Sequence, residues 1–126
     1  MSYIVPGSEP FYLPGSSIGC LLMHGFSATP EEMRPLGDFL ASKGYSLIGV
    51  RLAGHANYPR DLKRTRWTDW LDDVENSLAL LSKICSHRVL IGQSMSGMIA
   101  LTAAAQFPVS AVVALSTPYG SAPGPS

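Results

Sequence analysis

The stretch LIGQSMSGMIAL, Leu90 to Leu101, sets a serine at the join between an apolar run and a helix-like one. Gly92 and Ser96, two positions to either side of Ser94, are both small. A strand that turns sharply into a helix strains the residue at its tip and crowds its neighbours, so only small side chains fit there. The gain is chemical. The hydroxyl projects free of the sheet, near the positive end of the helix dipole, and the next backbone N–H faces the same space. On this pattern Ser94 is a candidate nucleophile and the Met95 N–H a candidate oxyanion-hole donor. The bare five-residue pattern also fits a plain tight turn before a closely packed helix.

A second piece is His24-Gly25-Phe26, directly after the apolar run Ile18 to Met23. Gly25 lets the backbone turn closely, so the Phe26 N–H can point across the strand ends toward Ser94. Two backbone donors converging on one point suit the negative oxygen of a tetrahedral acyl intermediate, and losing one such donor typically costs roughly a hundredfold in rate. Apolar residues beside this point, Phe26, Met95 and Leu52, favour an acyl chain over a charged substrate.

These turns need a frame. IGCLLMHG reads as a strand buried on both faces, and YSLIGVRL, RVLIGQ and SAVVALST as three more strands. FYL, residues 11–13, is a possible short edge strand. In SATPEEMRPLGDFLASKG, Thr29 and Glu32 have the spacing of a capping box and Pro30 suits the first helical position. Met33, Leu36, Phe39 and Leu40 form its apolar face, Gly44 its stop, and Pro35 predicts an irregular first turn. In TRWTDWLDDVENSLALLSKI, Trp67, Trp70, Leu71, Val74, Leu78, Leu81 and Ile84 recur at helical spacing, with Asp72, Asp73 and Glu75 on the wet face. MSGMIALTAAAQF reads as a small-residue helix. Alternating strands and helices predict an α/β fold, mainly a parallel sheet with helices on both faces. Ligands in such folds bind beyond the carboxyl ends of the strands.

The 126 residues suit one domain, and 46% apolar with 14% charged residues make a buried core attainable. Nine basic residues balance nine acidic ones without a basic cluster, which argues against nucleic acid as a partner. No apolar run is long enough for a membrane span, and MSYIVPGSEP lacks the pattern of a secretory signal. Cys20 and Cys85 have no metal-ligand spacing and read as buried thiols in a reducing, cytoplasmic setting. No metal and no organic cofactor is implied.

LLMHGFSATPEEMRPLGDFLASKGYSLIGVRLAGHA, the RWTDWLDDVENSL helix and VLIGQSMSGMIAL together resemble the α/β-hydrolase superfamily, within it the bacterial carboxylesterases related to monoacylglycerol lipases. The resemblance runs from about Gly19 to Pro118 and corresponds to the N-terminal half of a family member. It implies a partial, truncated α/β-hydrolase fold: an N-terminal segment over 1–17, a core over 18–118 and a flexible tail over 119–126. It implies further that Ser94 is the nucleophile and that the Phe26 and Met95 amides form the oxyanion hole. The family's usual second glycine is Ser96 here.

A serine nucleophile needs a base, and the base an orienting acid. In the family both follow the serine, in the order acid then histidine. Downstream of Ser94 this sequence has no Asp, Glu or His. His24 and His55, each just after a strand, are weak substitute-base or substrate-binding candidates, whereas His87 precedes its strand and falls at the opposite edge. Two expectations follow. One is a serine ester hydrolase for short- to medium-chain carboxylic esters. The other is a catalytically incomplete fragment that acts as a binding or interaction module. In either, the apolar strand 111–115 becomes an edge, and exposed apolar edges pair with a second copy or a complementing fragment.

Overall fold

The computed structural model describes residues 7–55 and 65–117. The tail expected over 119–126 lies outside them, as do residues 1–6 and most of the polar loop between residues 53 and 64.

Five strands form one sheet. They are β1 (Phe11–Leu13), β2 (Ile18–Met23), β3 (Ser46–Val50), β4 (His87–Gln93) and β5 (Ala111–Leu115), in the order β1-β3-β2-β4-β5. β1 pairs antiparallel with β3, and every other pairing is parallel. A 3₁₀ turn (Pro30–Met33) runs into α1 (Arg34–Ser42), and α2 (Trp67–Ser82) and α3 (Met95–Gln106) complete the crossovers.

Alternation along the central strand sorts the core into two layers. Cys20 and Leu22 face α1 with Met33, Leu47 and Ile91. Leu21 and Met23 face the other way, onto Val74, Leu78 and Leu81 of α2 and Ile99, Ala100 and Ala103 of α3. The expected parallel sheet with helices on both faces is what these residues build. Leu21 and Leu90 are wholly buried, so truncating either to alanine should cost about 2–5 kcal/mol.

The connections leave β2 and β4 in opposite directions: α1 carries the chain from β2 to β3, and α3 carries it from β4 to β5. The order therefore reverses between β2 and β4, the switch point where ligand crevices open in such sheets.

Several local expectations change. Thr29 does precede the 3₁₀ turn, but its side chain makes no capping bond. Glu32 instead accepts the Gly25 N–H, a donor left over where β2 ends. The irregularity near Pro35 takes the form of the 3₁₀ turn passing into α1. Phe39 lies outside the apolar face of α1 and is exposed beside Lys43. Trp67 and Ile84 are likewise exposed, because α2 starts at the first and ends before the second. Asp73 leaves the wet face and accepts the Ala53 N–H at 2.7 Å. Cys20 and Cys85 are buried free thiols. Among the described residues, no helix is long and apolar enough to cross a membrane.

Candidate active site

Register brings the two turns together. Met23 is paired with Gly92 across the parallel β2–β4 ladder. Two residues further on, Gly25 and Ser94 therefore stand side by side at the carboxyl ends of adjacent strands. A Cβ placed on Gly25 would lie 3.6 Å from the Ser94 Cβ. That is ordinary contact, so the glycine is not forced here by crowding.

Ser94 occupies the N-cap of α3 with φ 56° and ψ −121°, a left-handed conformation that costs a non-glycine residue about 1–3 kcal/mol. The turn is tight enough to need Gly92, since a Cβ there would come within 2.2 Å of the Ser96 oxygen. Ser94 is only partly buried, so its hydroxyl is not sealed inside the core.

The peptide groups around Ser94 are held from behind. The Ser94 carbonyl accepts the Gly97 N–H at 2.9 Å and the Thr117 hydroxyl at 3.0 Å. In a planar trans peptide the N–H points opposite to the carbonyl, so the Met95 N–H faces away from these partners. The Gly25 carbonyl is held in the same way, by His24 Nδ1 at 2.9 Å and the Ala28 N–H at 3.0 Å. That sets the direction of the Phe26 N–H. Neither the Phe26 nor the Met95 N–H donates to an acceptor among the described residues.

The two histidines are structural in their contacts. His24 is fully buried, with Nδ1 donating to the Gly25 carbonyl and Nε2 accepting the Leu52 N–H at 3.1 Å. Burial, with His55 and Arg51 nearby, lowers its pKa to about 4 and keeps it neutral. Both nitrogens are engaged, which removes His24 as a substitute base. His55 is 2% exposed, with its ring 4.7 Å from that of His24 and close to the rings of Phe26 and Trp70. Its Nδ1 lies 3.2 Å from the Ala53 carbonyl, its Nε2 is buried without a partner, and burial lowers its pKa as well. No hydrogen bond joins either ring to Ser94 among the described residues.

Sequence reasoning missed the supporting shell. Trp70 Nε1 donates to the Ala53 carbonyl at 2.9 Å, so Trp70 and Asp73 together fasten the loop after β3 to α2. Ser96 donates to the His24 carbonyl from a fully buried position. Only the i, i+3 spacing of Trp70 and Asp73 on one helix hinted at a shared target. Leu52, expected beside the site, is wholly buried in the core and unavailable to a ligand. Phe26 is 53% exposed, and Met95 lines a notch of about 230 Å³ with Trp67, Met98, Ile99 and Thr102. Among the described residues no cluster of His, Cys, Asp or Glu could hold a metal ion.

Comparison with known proteins bears on the family and the fold. The sequence pattern of the alpha/beta hydrolase family matches residues 20–126. A thermostable monoacylglycerol lipase of Bacillus sp. (strain H-257) is 38% identical over 105 residues, covering 83% of this chain and 42% of the relative. A carboxylesterase of Bacillus subtilis (strain 168) is 28% identical over 119 residues, covering 94% and 48%. Among solved structures, one from work on the metagenome-derived lipolytic enzymes LipS and LipT superposes with a TM-score of 0.87 at 33% identity. It covers 91% of this chain and 48% of that one. The chain thus spans slightly less than half the length of these relatives. With the switch point of the sheet, the strained serine turn and this match in hand, the chain belongs to the alpha/beta hydrolase family.

Proposed function

We propose that these residues carry the nucleophile and oxyanion hole of a serine carboxylesterase acting on short- to medium-chain esters. The observation that carries the reading is Ser94 in a left-handed turn at a helix N-terminus, beside a second turn whose Phe26 amide has no acceptor among the described residues. The lipase and carboxylesterase relatives support the substrate class. The apolar notch that begins at Met95 gives the acyl arm a place to lie.

In this reading a base takes the Ser94 proton and Oγ bonds to the ester carbonyl carbon. The carbonyl oxygen becomes an anion held by the Phe26 and Met95 N–H groups. Collapse breaks the bond to the alcohol, which leaves with the proton, and water then cleaves the acyl-enzyme to free acid and Ser94. With His24 engaged and His55 buried, neither supplies the base and acid partner that the step requires. Without them, turnover falls by several orders of magnitude while binding and oxyanion stabilisation persist.

A second reading is an interaction module without turnover. The missing base and the unburied strand β5 favour it. Fluorophosphonate labelling together with hydrolysis of p-nitrophenyl esters of increasing chain length separates the two. The esterase reading expects one label on Ser94 and slow turnover, both abolished in Ser94→Ala. No label and no turnover on the wild type favours the module, and turnover that survives the substitution removes Ser94 as the nucleophile.

A further inference from the structure

We infer that the Ser96 hydroxyl is a positioning residue that ties the serine turn to the glycine turn and so fixes the Phe26 and Met95 amides relative to each other. The inference rests on the reading of Ser94 as nucleophile.

Each amide is aimed within its own turn by the partners of its own peptide group. Gly97 and Thr117 hold the Ser94–Met95 peptide, and His24 and Ala28 hold the Gly25–Phe26 peptide. Aim alone does not make a two-donor site. Both protons must also meet one oxygen, about 2.7–3.1 Å from each, which requires a set distance between the turns. The β2–β4 ladder ends its register at Met23 and Gly92, short of both amides.

Beyond that register, among the described residues, one hydrogen bond runs directly between the turns: Ser96 Oγ to the His24 carbonyl. Ser96 sits in the first turn of α3, one residue after Met95. The His24 carbonyl belongs to the peptide before the one that carries the Phe26 N–H. The other side of that same His24–Gly25 peptide is held by Glu32, whose Oε1 accepts the Gly25 N–H at 2.9 Å. The peptide is therefore clamped across its plane, by the 3₁₀ turn on one side and by α3 on the other.

Glycine or alanine at position 96 would fill the space without making this bond. A buried hydroxyl is costly unless it is partnered, so its retention in a wholly buried site is accounted for by the bond it makes. Displacing a reacting group by about 1 Å can cost roughly a hundredfold in rate, which is the scale on which such a tie matters.

The test compares wild type with Ser96→Ala and Ser96→Thr, well below the melting temperature of each. Two readouts are taken: the fluorophosphonate rate at Ser94, split into reagent binding and bond formation, and the ¹H–¹⁵N resonances of Phe26 and Met95 in the free protein. Ser96→Ala is expected to slow bond formation roughly tenfold to a hundredfold with reagent binding little changed. It is also expected to shift the Phe26 resonance, although residue 26 is remote in sequence. Ser96→Thr, which keeps the hydroxyl, is expected to restore both. If Ser96→Ala only lowers the melting temperature, leaving the rate within twofold and the Phe26 resonance in place, the tie is overturned. If wild type takes no label at Ser94, the nucleophile reading falls. The Phe26 resonance still decides whether the tie exists.

Discussion

Thr117 reaches back from the end of β5 to the carbonyl of Ser94, and Gly97 is what lets it come so close. A Cβ on Gly97 would lie 1.7 Å from Thr117 Oγ1, nearer than any real contact. Gly97→Ala should therefore push Thr117 off the Ser94 carbonyl and cost about 1–3 kcal/mol of stability in urea titrations. It should also slow labelling of Ser94, whereas an unchanged rate would mean that the Thr117 bond does not aim the Met95 amide. His24 makes a separate, pH-dependent prediction. Its folded pKa lies near 4 and the unfolded value near 6.5, so below pH 6.5 the unfolded chain binds a proton that the folded chain refuses. Stability is full above pH 6.5 and is lost on acidification toward pH 4, by about 3 kcal/mol from this group. His55 acts in the same direction, and Asp73, raised by burial, acts against it. Urea midpoints at pH 7.5 and 4.5 should converge in His24→Asn relative to wild type, and an unchanged pH slope would remove His24 as the cause.

At the level of elements, the legible features were those written in local pattern. Apolar runs marked all four parallel strands, and small residues around Ser94 marked the turn. Even the three-residue strand β1 was visible as FYL, although its antiparallel pairing with β3 was not. What stayed hidden depends on partners distant in sequence. Glu32 looked like half of a capping box because its spacing to Thr29 is local. Its actual partner, Gly25, is set by where β2 stops. Asp73 looked solvated beside Asp72, yet α2 turns it toward the loop after β3. Ser96 looked merely small, and only the meeting of two strand ends gives its hydroxyl a target. The exposed strand makes its own prediction. No residue of β5 is fully buried, and Val113 is 40% exposed on the face shared with Leu115. Such an edge pairs with other chains. Light scattering should give a mass above the monomer, reduced in Val113→Lys. A monomeric wild type would show that the edge does not drive association.

For the molecule as a whole, the proposed function makes the site half of a mechanism. The chain covers 42% and 48% of its two Bacillus relatives, and in the proposed reading it carries the part that binds and polarises a carbonyl. Two crossovers on opposite faces of the sheet make a switch point between β2 and β4, and the turn after each strand carries one backbone N–H without an acceptor among the described residues. In that reading proton transfer is the missing part: His24 has both ring nitrogens engaged, and His55 is buried against it. The central claim is therefore geometric, and it is tested most directly by a crystal structure of the fluorophosphonate adduct. The account predicts phosphorus bonded to Ser94 Oγ, with one phosphonyl oxygen about 2.7–3.1 Å from both the Phe26 and the Met95 nitrogens. An adduct on another residue, or a phosphonyl oxygen turned away from those two nitrogens, would contradict it.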